Sequence, residues 1–231
     1  MNRKIHPLVG LAAVAAGVFC LSSAVPAAIL ANYTFTGSLS SSGHTFTGTV
    51  GDFGFSGGDV GQNGLSGAGN VFFRGNGLTT TIADAIQAAD YFTFTITPGA
   101  GSQYQLNSLT FTLGVQNNSA TPFTGSVALY SSLDGFSNQI GSTASRSIAA
   151  DTGAQFDTNF TTISLSGFSP ITGSAPVEFR LYAAISNLSG GNIDNRMIRL
   201  DDVRLNGDLI PEPSAALLGS LGVLVFFRRK R

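Results

Sequence analysis

Cysteine, histidine and tryptophan are scarce or absent in this chain of 231 residues, and each scarcity excludes a class of function. The one cysteine, Cys20, lies in an apolar N-terminal stretch, so the remaining chain can form neither a disulfide nor a thiolate metal site. Beyond residue 28 the only histidine is His44, and the sequence has no paired-histidine zinc motif and no Gly-x-Ser-x-Gly nucleophile elbow. We therefore expect a protein that is not an enzyme.

Lysine is absent between residues 32 and 210, where twelve Asp and Glu residues stand against six Arg. The formal net charge of −1 for the whole chain hides this imbalance, because the basic residues cluster at the two ends. An acidic domain without lysine offers no basic surface to a phosphate backbone, so nucleic acid is excluded as a partner. Ser, Thr, Asn and Gly must keep the surface soluble.

The N-terminus has the profile of a secretory signal peptide. Arg3 and Lys4 provide positive charge, residues 8–21 form an apolar run, and small residues follow. We assign residues 1–28 to this signal and expect the general secretion machinery to act on it. Cleavage after Ala27 or Ala28 is favoured over cleavage after Ala31, and a retained membrane anchor is the alternative.

The C-terminus has three parts in a fixed order. The tripeptide Pro211, Glu212, Pro213 is followed by the uncharged residues 214–227 and by the basic tail Arg228, Arg229, Lys230, Arg231. Fourteen residues in a helix reach roughly 21 Å, which is short against a bilayer core about 30 Å thick. The basic tail would hold its end in the cytoplasm. An ordinary tail anchor with a chance Pro-Glu-Pro is the alternative to a sorting function.

This order of tripeptide, apolar segment and basic tail in residues 210–231 resembles the sorting signal of PEP-CTERM proteins. The resemblance implies processing by an exosortase, a membrane-embedded transpeptidase that acts at the tripeptide. It also implies export, a transient hold at the inner membrane by a short transmembrane helix, and delivery to the cell surface or to an extracellular matrix with exopolysaccharide.

Alternation of apolar residues and threonine dominates the middle of the chain. Phe92, Phe94 and Ile96 share one face of a predicted strand, and similar rows recur with turn residues between them. The pattern predicts an all-β domain over residues 32–209, a single antiparallel β-sandwich that is jelly-roll-like. A change of phase across Asp201 and Asp202 predicts a β-bulge. The glycine-rich residues 51–77 are expected to form hairpins and a loop at one end of the sandwich.

One short stretch departs from the alternation. Thr81 and Asp84 have the spacing of a capping box, so a turn or two of helix is expected to follow them. We assign this helix to a crossover with no function of its own.

Two pairs of residues are candidates for a binding site. Tyr104 and Tyr130 are expected at exposed positions, where their rings could pack against a sugar, although tryptophan, the usual residue for that contact, is absent. Residues 199–207 are similar to the closing strand of carbohydrate-binding and laminin-like jelly rolls. That resemblance implies a structural calcium at Asp201 or Asp202; ion pairs with Arg199 and Arg204 are the alternative.

These observations give two hypotheses for the function. The first is an exported surface or matrix protein, structural or adhesive, linked to exopolysaccharide and needing no cofactor. The alternative is a calcium-stabilised carbohydrate-binding module.

Overall fold

The structure is a computed structural model that describes residues 28–63, 69–188 and 193–210. These residues are mainly β-strands, with one α-helix and three short 3-10 turns. In chain order the strands are β1 Ala28–Tyr33, β2 Gly48–Val50, β3 Gly54–Ser56, β4 Val60–Asn63, β5 Asn70–Arg74, β6 Tyr91–Pro98, β7 Gln103–Asn117, β8 Phe123–Ser131, β9 Ile140–Ile148, β10 Gly153–Phe156, β11 Thr161–Ser164, β12 Ile171–Thr172, β13 Val177–Ser186 and β14 Arg196–Ile210. The helix α1 spans Ile82–Ala88, and the 3-10 turns span Gly75–Gly77, Ser132–Asp134 and Ile193–Asn195.

The strands form two sheets in which every pairing of named strands is antiparallel. The eight-stranded sheet has the order β10-β7-β14-β5-β4, with β1 on β14 and with β11 and β12 on β7. The six-stranded sheet has the order β2-β6-β13-β8-β9, with β3 on β6. Because the chain crosses repeatedly from one sheet to the other, as in β5 to β6 to β7 to β8, the connectivity is jelly-roll-like. The predicted all-β sandwich is confirmed.

The core lies between the two sheets and is rich in phenylalanine. The predicted row Phe92, Phe94 and Ile96 is buried, and the threonines between them are half-buried on the opposite face of β6. Phe73 of the eight-stranded sheet meets Phe92 of the six-stranded sheet with ring centroids 4.0 Å apart. Fully burying such a side chain contributes about 1.5–3 kcal/mol. The alternation of apolar residues and threonine therefore predicts which side of each strand faces the core.

Helix α1 begins where the capping box predicts, directly after its N-cap residue Thr81. The amide of Asp84 donates to Thr81 Oγ1 at 3.1 Å, and the Thr81 hydroxyl donates to Asp84 Oδ2 at 2.7 Å. The helix ends at a left-handed C-cap residue, Ala89. Its buried residue Ala85 packs on the outer face of the six-stranded sheet.

The predicted bulge in β14 is confirmed. The register between β14 and β7 shifts between Asp201, opposite Thr112, and Arg204, opposite Thr110. Asp202 accommodates the shift with a positive φ of 50°. The bulge keeps Val203 on the buried face, so both halves of this long strand contribute to one core.

The folded domain extends beyond the predicted residues 32–209 at both ends. β1 begins at Ala28, with Leu30 and Ala31 buried, and β14 runs to Ile210. Part of the glycine-rich stretch also forms strands β3, β4 and β5. Residues 1–27 and the proposed sorting residues 211–231 lie outside the described residues. Within residues 28–63, 69–188 and 193–210, no helix is both long and apolar enough to cross a membrane.

Candidate functional site: the outer face of the eight-stranded sheet

Tyr104 and Tyr130 are not exposed, so the expectation that placed them on the surface is wrong. Tyr104 is 2% exposed because it lies on the inward phase of β7 rather than in a loop. Its hydroxyl oxygen accepts a hydrogen bond from the Thr47 amide at 3.0 Å. Tyr130 is 8% exposed and packs under α1, with its ring 5.4 Å from that of Tyr182. Neither ring can lie flat against a sugar in this conformation.

Asp201 and Asp202 lie side by side at the bulge of β14. The Asp202 carboxylate is 3.5 Å from the Arg204 guanidinium, whereas Asp201 Oδ1 accepts the amide of Asp202 at 2.8 Å. Burial raises the pKa of Asp201, while the hydrogen bond from the Asp202 amide lowers it and the charge of Asp202 raises it. The described residues contain no group of three or more His, Cys, Asp or Glu side chains that could hold a metal. The ion-pair alternative holds for Asp202, and calcium stays a prediction.

His44 contacts Ser41 in the loop after β1. Its Nδ1 is 3.1 Å from Ser41 Oγ, and the same hydroxyl accepts the Asn32 amide at 2.9 Å. The described hydrogen bonds include none from His44 to a carboxylate. Ser41 and His44 are therefore arranged as loop contacts, without the third group that orients a catalytic base.

Helix α1 covers part of the outer face of the six-stranded sheet. Tyr130, Tyr182 and Ala128 form a second apolar cluster with Ala85 of α1. Beside the helix, the Arg180 guanidinium lies 4.2 Å from the ring centre of Tyr91. Arg180 also stacks 3.8 Å from the ring centre of Phe136 and donates to Glu178 at 2.7 Å. The charged groups and rings beside the helix therefore satisfy one another.

The outer face of the eight-stranded sheet differs, because the described α-helix packs on the other sheet. One row across it runs through five strands, in the order Gly61, Phe72, Arg199, Gly114 and Phe156. Gly114 provides space for the Phe156 ring, whereas a side chain at Gly61 would make ordinary contact with the Phe72 ring. A Cβ on Gly114 would lie 2.5 Å from the Phe156 ring, and one on Gly61 would lie 3.5 Å from the Phe72 ring. Two half-buried phenylalanines therefore flank one arginine.

Arg199 is held by neutral acceptors. Its Nη1 donates to Asn70 Oδ1 at 3.1 Å, and its Nη2 donates to Gln116 Oε1 and to Met197 Sδ, the latter at 3.3 Å. The side chain is 8% exposed, and its Nε is buried with no hydrogen-bond partner. Burial lowers the pKa of Arg199. The amide side chains hold the guanidinium in one position without neutralising it.

Further along β14 the same face carries a second arginine with an aromatic partner. Arg204 Nε donates to Asn32 Oδ1 at 3.0 Å, and the guanidinium lies 4.7 Å from the ring centre of Phe160. Phe160 is 45% exposed. This ring is the most open aromatic surface on the face.

Towards its C-terminal end, β14 presents amide and carboxylate side chains on the same face. Asn206 donates to Ser108 and Thr110 of β7 at 3.2 and 3.4 Å, and Asn107 donates to Asp208 Oδ2 at 2.9 Å. Together with Gln116 and Asn70, these groups give the face donors and acceptors of several kinds. Such a surface, with aromatic rings beside it, is suited to a ligand that carries many hydroxyl groups.

A groove at the edge of the sandwich is the competing site. It has a volume of about 470 Å³ and lies between the turn after β8 and the turn after β11. Asp134 in its wall is already engaged, since it accepts hydrogen bonds from the amides of Ser137 and Asn138 and from the Asn138 side chain. These bonds lower the pKa of Asp134. The groove offers one ring, Phe168, whereas the sheet face carries Phe72, Phe156 and Phe160.

Sequence reasoning missed this face, although its signal is present. Outward positions of β6 carry Thr93, Thr95 and Thr97. Outward positions of β14 are mainly Arg, Asp and Asn. The change from hydroxyl side chains on β6 to charged and amide side chains on β14 is the signal that distinguishes the two strands.

Comparison with known proteins gives no match to any protein-family model and no match to a curated protein. Among solved structures, the chain is similar to a non-crystalline-cellulose-specific carbohydrate-binding module, CBM28, at 10% identity with a TM-score of 0.37, covering 66% of this chain and 86% of that one. A CBM4 structure matches at 14% identity with a TM-score of 0.35, covering 68% and 87%. The K1 cleaved adhesin domain of Lys-gingipain from Porphyromonas gingivalis W83 matches at 18% identity with a TM-score of 0.32, covering 66% and 89%. Likenesses this weak carry no argument about ligand.

Proposed function

We propose that this protein is an exported surface or matrix protein whose β-sandwich binds polysaccharide through the outer face of the eight-stranded sheet. The observation that carries the proposal is the cross-strand row in which Phe72 and Phe156 flank Arg199. It lies on the sheet face opposite the one that α1 covers. We thereby combine the adhesive and carbohydrate-binding hypotheses, and we place the binding residues on this sheet face instead of at Tyr104 and Tyr130.

The dimensions of the row favour a chain of sugars over a single one. From β5 to β10 there are three inter-strand steps, and at about 4.8 Å each the backbones of the two phenylalanines are separated by about 14 Å along the sheet. Sugar C–H faces can pack on the two rings, while the amides and the guanidinium offer hydrogen bonds to the hydroxyls between them. A site of this length suits an oligosaccharide segment.

Binding to immobilised glycans tests the proposal. We expect selective binding by the purified protein and a loss of tenfold or more in the variant Phe72→Ala combined with Phe156→Ala. The matched control is Phe136→Ala, which removes a ring from the covered face, and Gln139→Ala tests the edge groove. Thermal melting of each variant confirms that it folds. No binding to any glycan would reject the proposal and favour a purely structural role.

Delivery of the domain is part of the same proposal and rests on the sequence motifs at residues 1–28 and 210–231. Cleavage after Ala27 would leave β1 complete, whereas cleavage after Ala31 would remove the buried Leu30. β14 ends at Ile210, directly before Pro211, so processing at the tripeptide would leave the sheet whole. Intact-mass measurement of the exported protein should show a start at Ala28 and a C-terminus near Ile210. A chain that still ends in Arg231 would contradict exosortase processing.

A further inference from the structure

Arg199 differs from four other arginines of the domain in its electrostatic surroundings. Arg74, Arg146, Arg180 and Arg204 each form an ion pair with an aspartate or a glutamate. None of the ion pairs found among the described residues includes Arg199, although it is more buried than these four. A buried cation without a carboxylate partner is unfavourable for folding, because hydration is lost and no opposite charge replaces it.

Asp201, the nearest carboxylate on β14, does not neutralise Arg199. Asp201 lies two residues further along β14 on the same face, but its Oδ1 accepts the amide of Asp202. Burial and the charge of Asp202 raise the pKa of Asp201, which is the opposite of what an ion pair with Arg199 would do. The remaining partners of Arg199 are the neutral groups of Asn70, Gln116 and Met197.

Not all of its donors are used. A guanidinium has five N–H groups, and the three described hydrogen bonds of Arg199 come from Nη1 and Nη2. Nε is buried without a partner. Met197 and Gln116, which contact the guanidinium, are half-buried, unbranched side chains that can turn aside when a ligand arrives. An anion entering between Phe72 and Phe156 would gain charge-assisted hydrogen bonds from a cation already held in place.

We propose that Arg199 binds the carboxylate of an acidic sugar, so that the polysaccharide recognised by this face is a uronate-containing polymer. The inference rests on the proposed function, since it names the substrate class of the same face. Phe72 and Phe156 pack against the sugars on either side, and Arg199 selects the charged one. The arginine is retained at a buried position because its missing counter-charge is supplied by the ligand.

The decisive probe is polygalacturonate compared with its own methyl ester, which keeps the sugars and linkage but removes the charge. We expect the purified protein to bind the acid form at least tenfold more tightly, with affinity falling as salt rises. Arg199→Met should abolish the preference, and Arg199→Lys should keep part of it, because lysine retains the charge but loses the forked geometry. Arg180→Met, on the covered face, is the matched control and should leave the preference unchanged.

The outcomes separate this inference from the proposed function. Equal binding to the acid and the ester, still lost in the Phe72 and Phe156 double variant, would overturn the role of Arg199 and leave polysaccharide binding intact. Binding to neither form, nor to any neutral glycan, would reject both. Binding to dextran sulfate but not to polygalacturonate would overturn the carboxylate assignment. The comparison of acid with ester tests charge selection without a variant, and Arg199→Lys assigns that selection to Arg199 if Arg199→Met fails to fold.

Discussion

The two outer faces of this sandwich carry similar side-chain types arranged to opposite effect. On the six-stranded sheet, Arg180 is stacked between two rings and paired with Glu178, and α1 covers the tyrosines beside it. On the eight-stranded sheet, Arg199 also lies between two aromatic residues, but its hydrogen-bond acceptors are neutral. On the covered face, the charge of Arg180 is paired with Glu178 within the domain. On the open face, the described acceptors of Arg199 are all neutral, so a ligand can supply the carboxylate partner.

Truncating the largest side chain of each face should give the greatest difference. Tyr182→Ala removes a buried ring that contacts Tyr91 and Tyr130, and we expect it to lower the free energy of unfolding by about 3–5 kcal/mol. Phe72→Ala removes a half-buried ring on the open face and should cost roughly 1 kcal/mol. Urea unfolding of the two variants measures both values. Equal losses would mean that the open face is as much a part of the stable fold as the covered one.

Exchanging the two arginines for methionine separates structural charge from functional charge. Arg180→Met breaks an ion pair and two ring contacts, so we expect a loss of about 1–2 kcal/mol. Arg199→Met removes a buried charge that has no carboxylate partner but leaves Asn70 Oδ1 without its donor. Because these two effects oppose each other, the stability should stay within about 1 kcal/mol of the wild type. Thermal melting at neutral pH distinguishes them. A loss for Arg199→Met as large as that for Arg180→Met would show that Arg199 is needed for stability alone.

The helix that covers one face depends on its N-terminal cap. Thr81→Ala removes the hydrogen bond to the Asp84 amide, and we expect a loss of about 1 kcal/mol. Hydrogen exchange of β13 and β8 amides near Tyr182 and Tyr130 should become faster, whereas exchange in β14 should not change. Thr80→Ala, at the adjacent exposed position, is the control. Uniformly faster exchange in both sheets would indicate that α1 stabilises the whole domain rather than one face.

The comparison also shows how far sequence reasoning reached. Period-two alternation predicted the buried rows correctly, because burial on a strand depends on the local pattern, and the phase change at Asp201 located the bulge. The same pattern places Tyr104 inside, since it precedes Leu106 by two, and the expectation that it is exposed overlooks this alternation. The row of Phe72, Arg199 and Phe156 joins residues far apart in the chain. These residues meet only because β5, β14, β7 and β10 pair in one register, and the local sequence of a single strand does not specify that pairing.

The smallest expected effect concerns Asp201, the half-buried carboxyl of the open face. Because burial raises its pKa above that of the unfolded chain, the folded state keeps the proton to higher pH, and the stability this provides is lost as pH rises from about 4 through the folded pKa. Asp201→Asn cannot ionise, so its melting temperature should fall less than that of the wild type between pH 4 and pH 6. Asp151→Asn, at an exposed turn, is the control. If an acidic polymer binds beside Arg199, its negative charge should raise the pKa of Asp201 further and deepen the wild-type slope. A slope that is unchanged by polygalacturonate would place the polymer away from this part of the face.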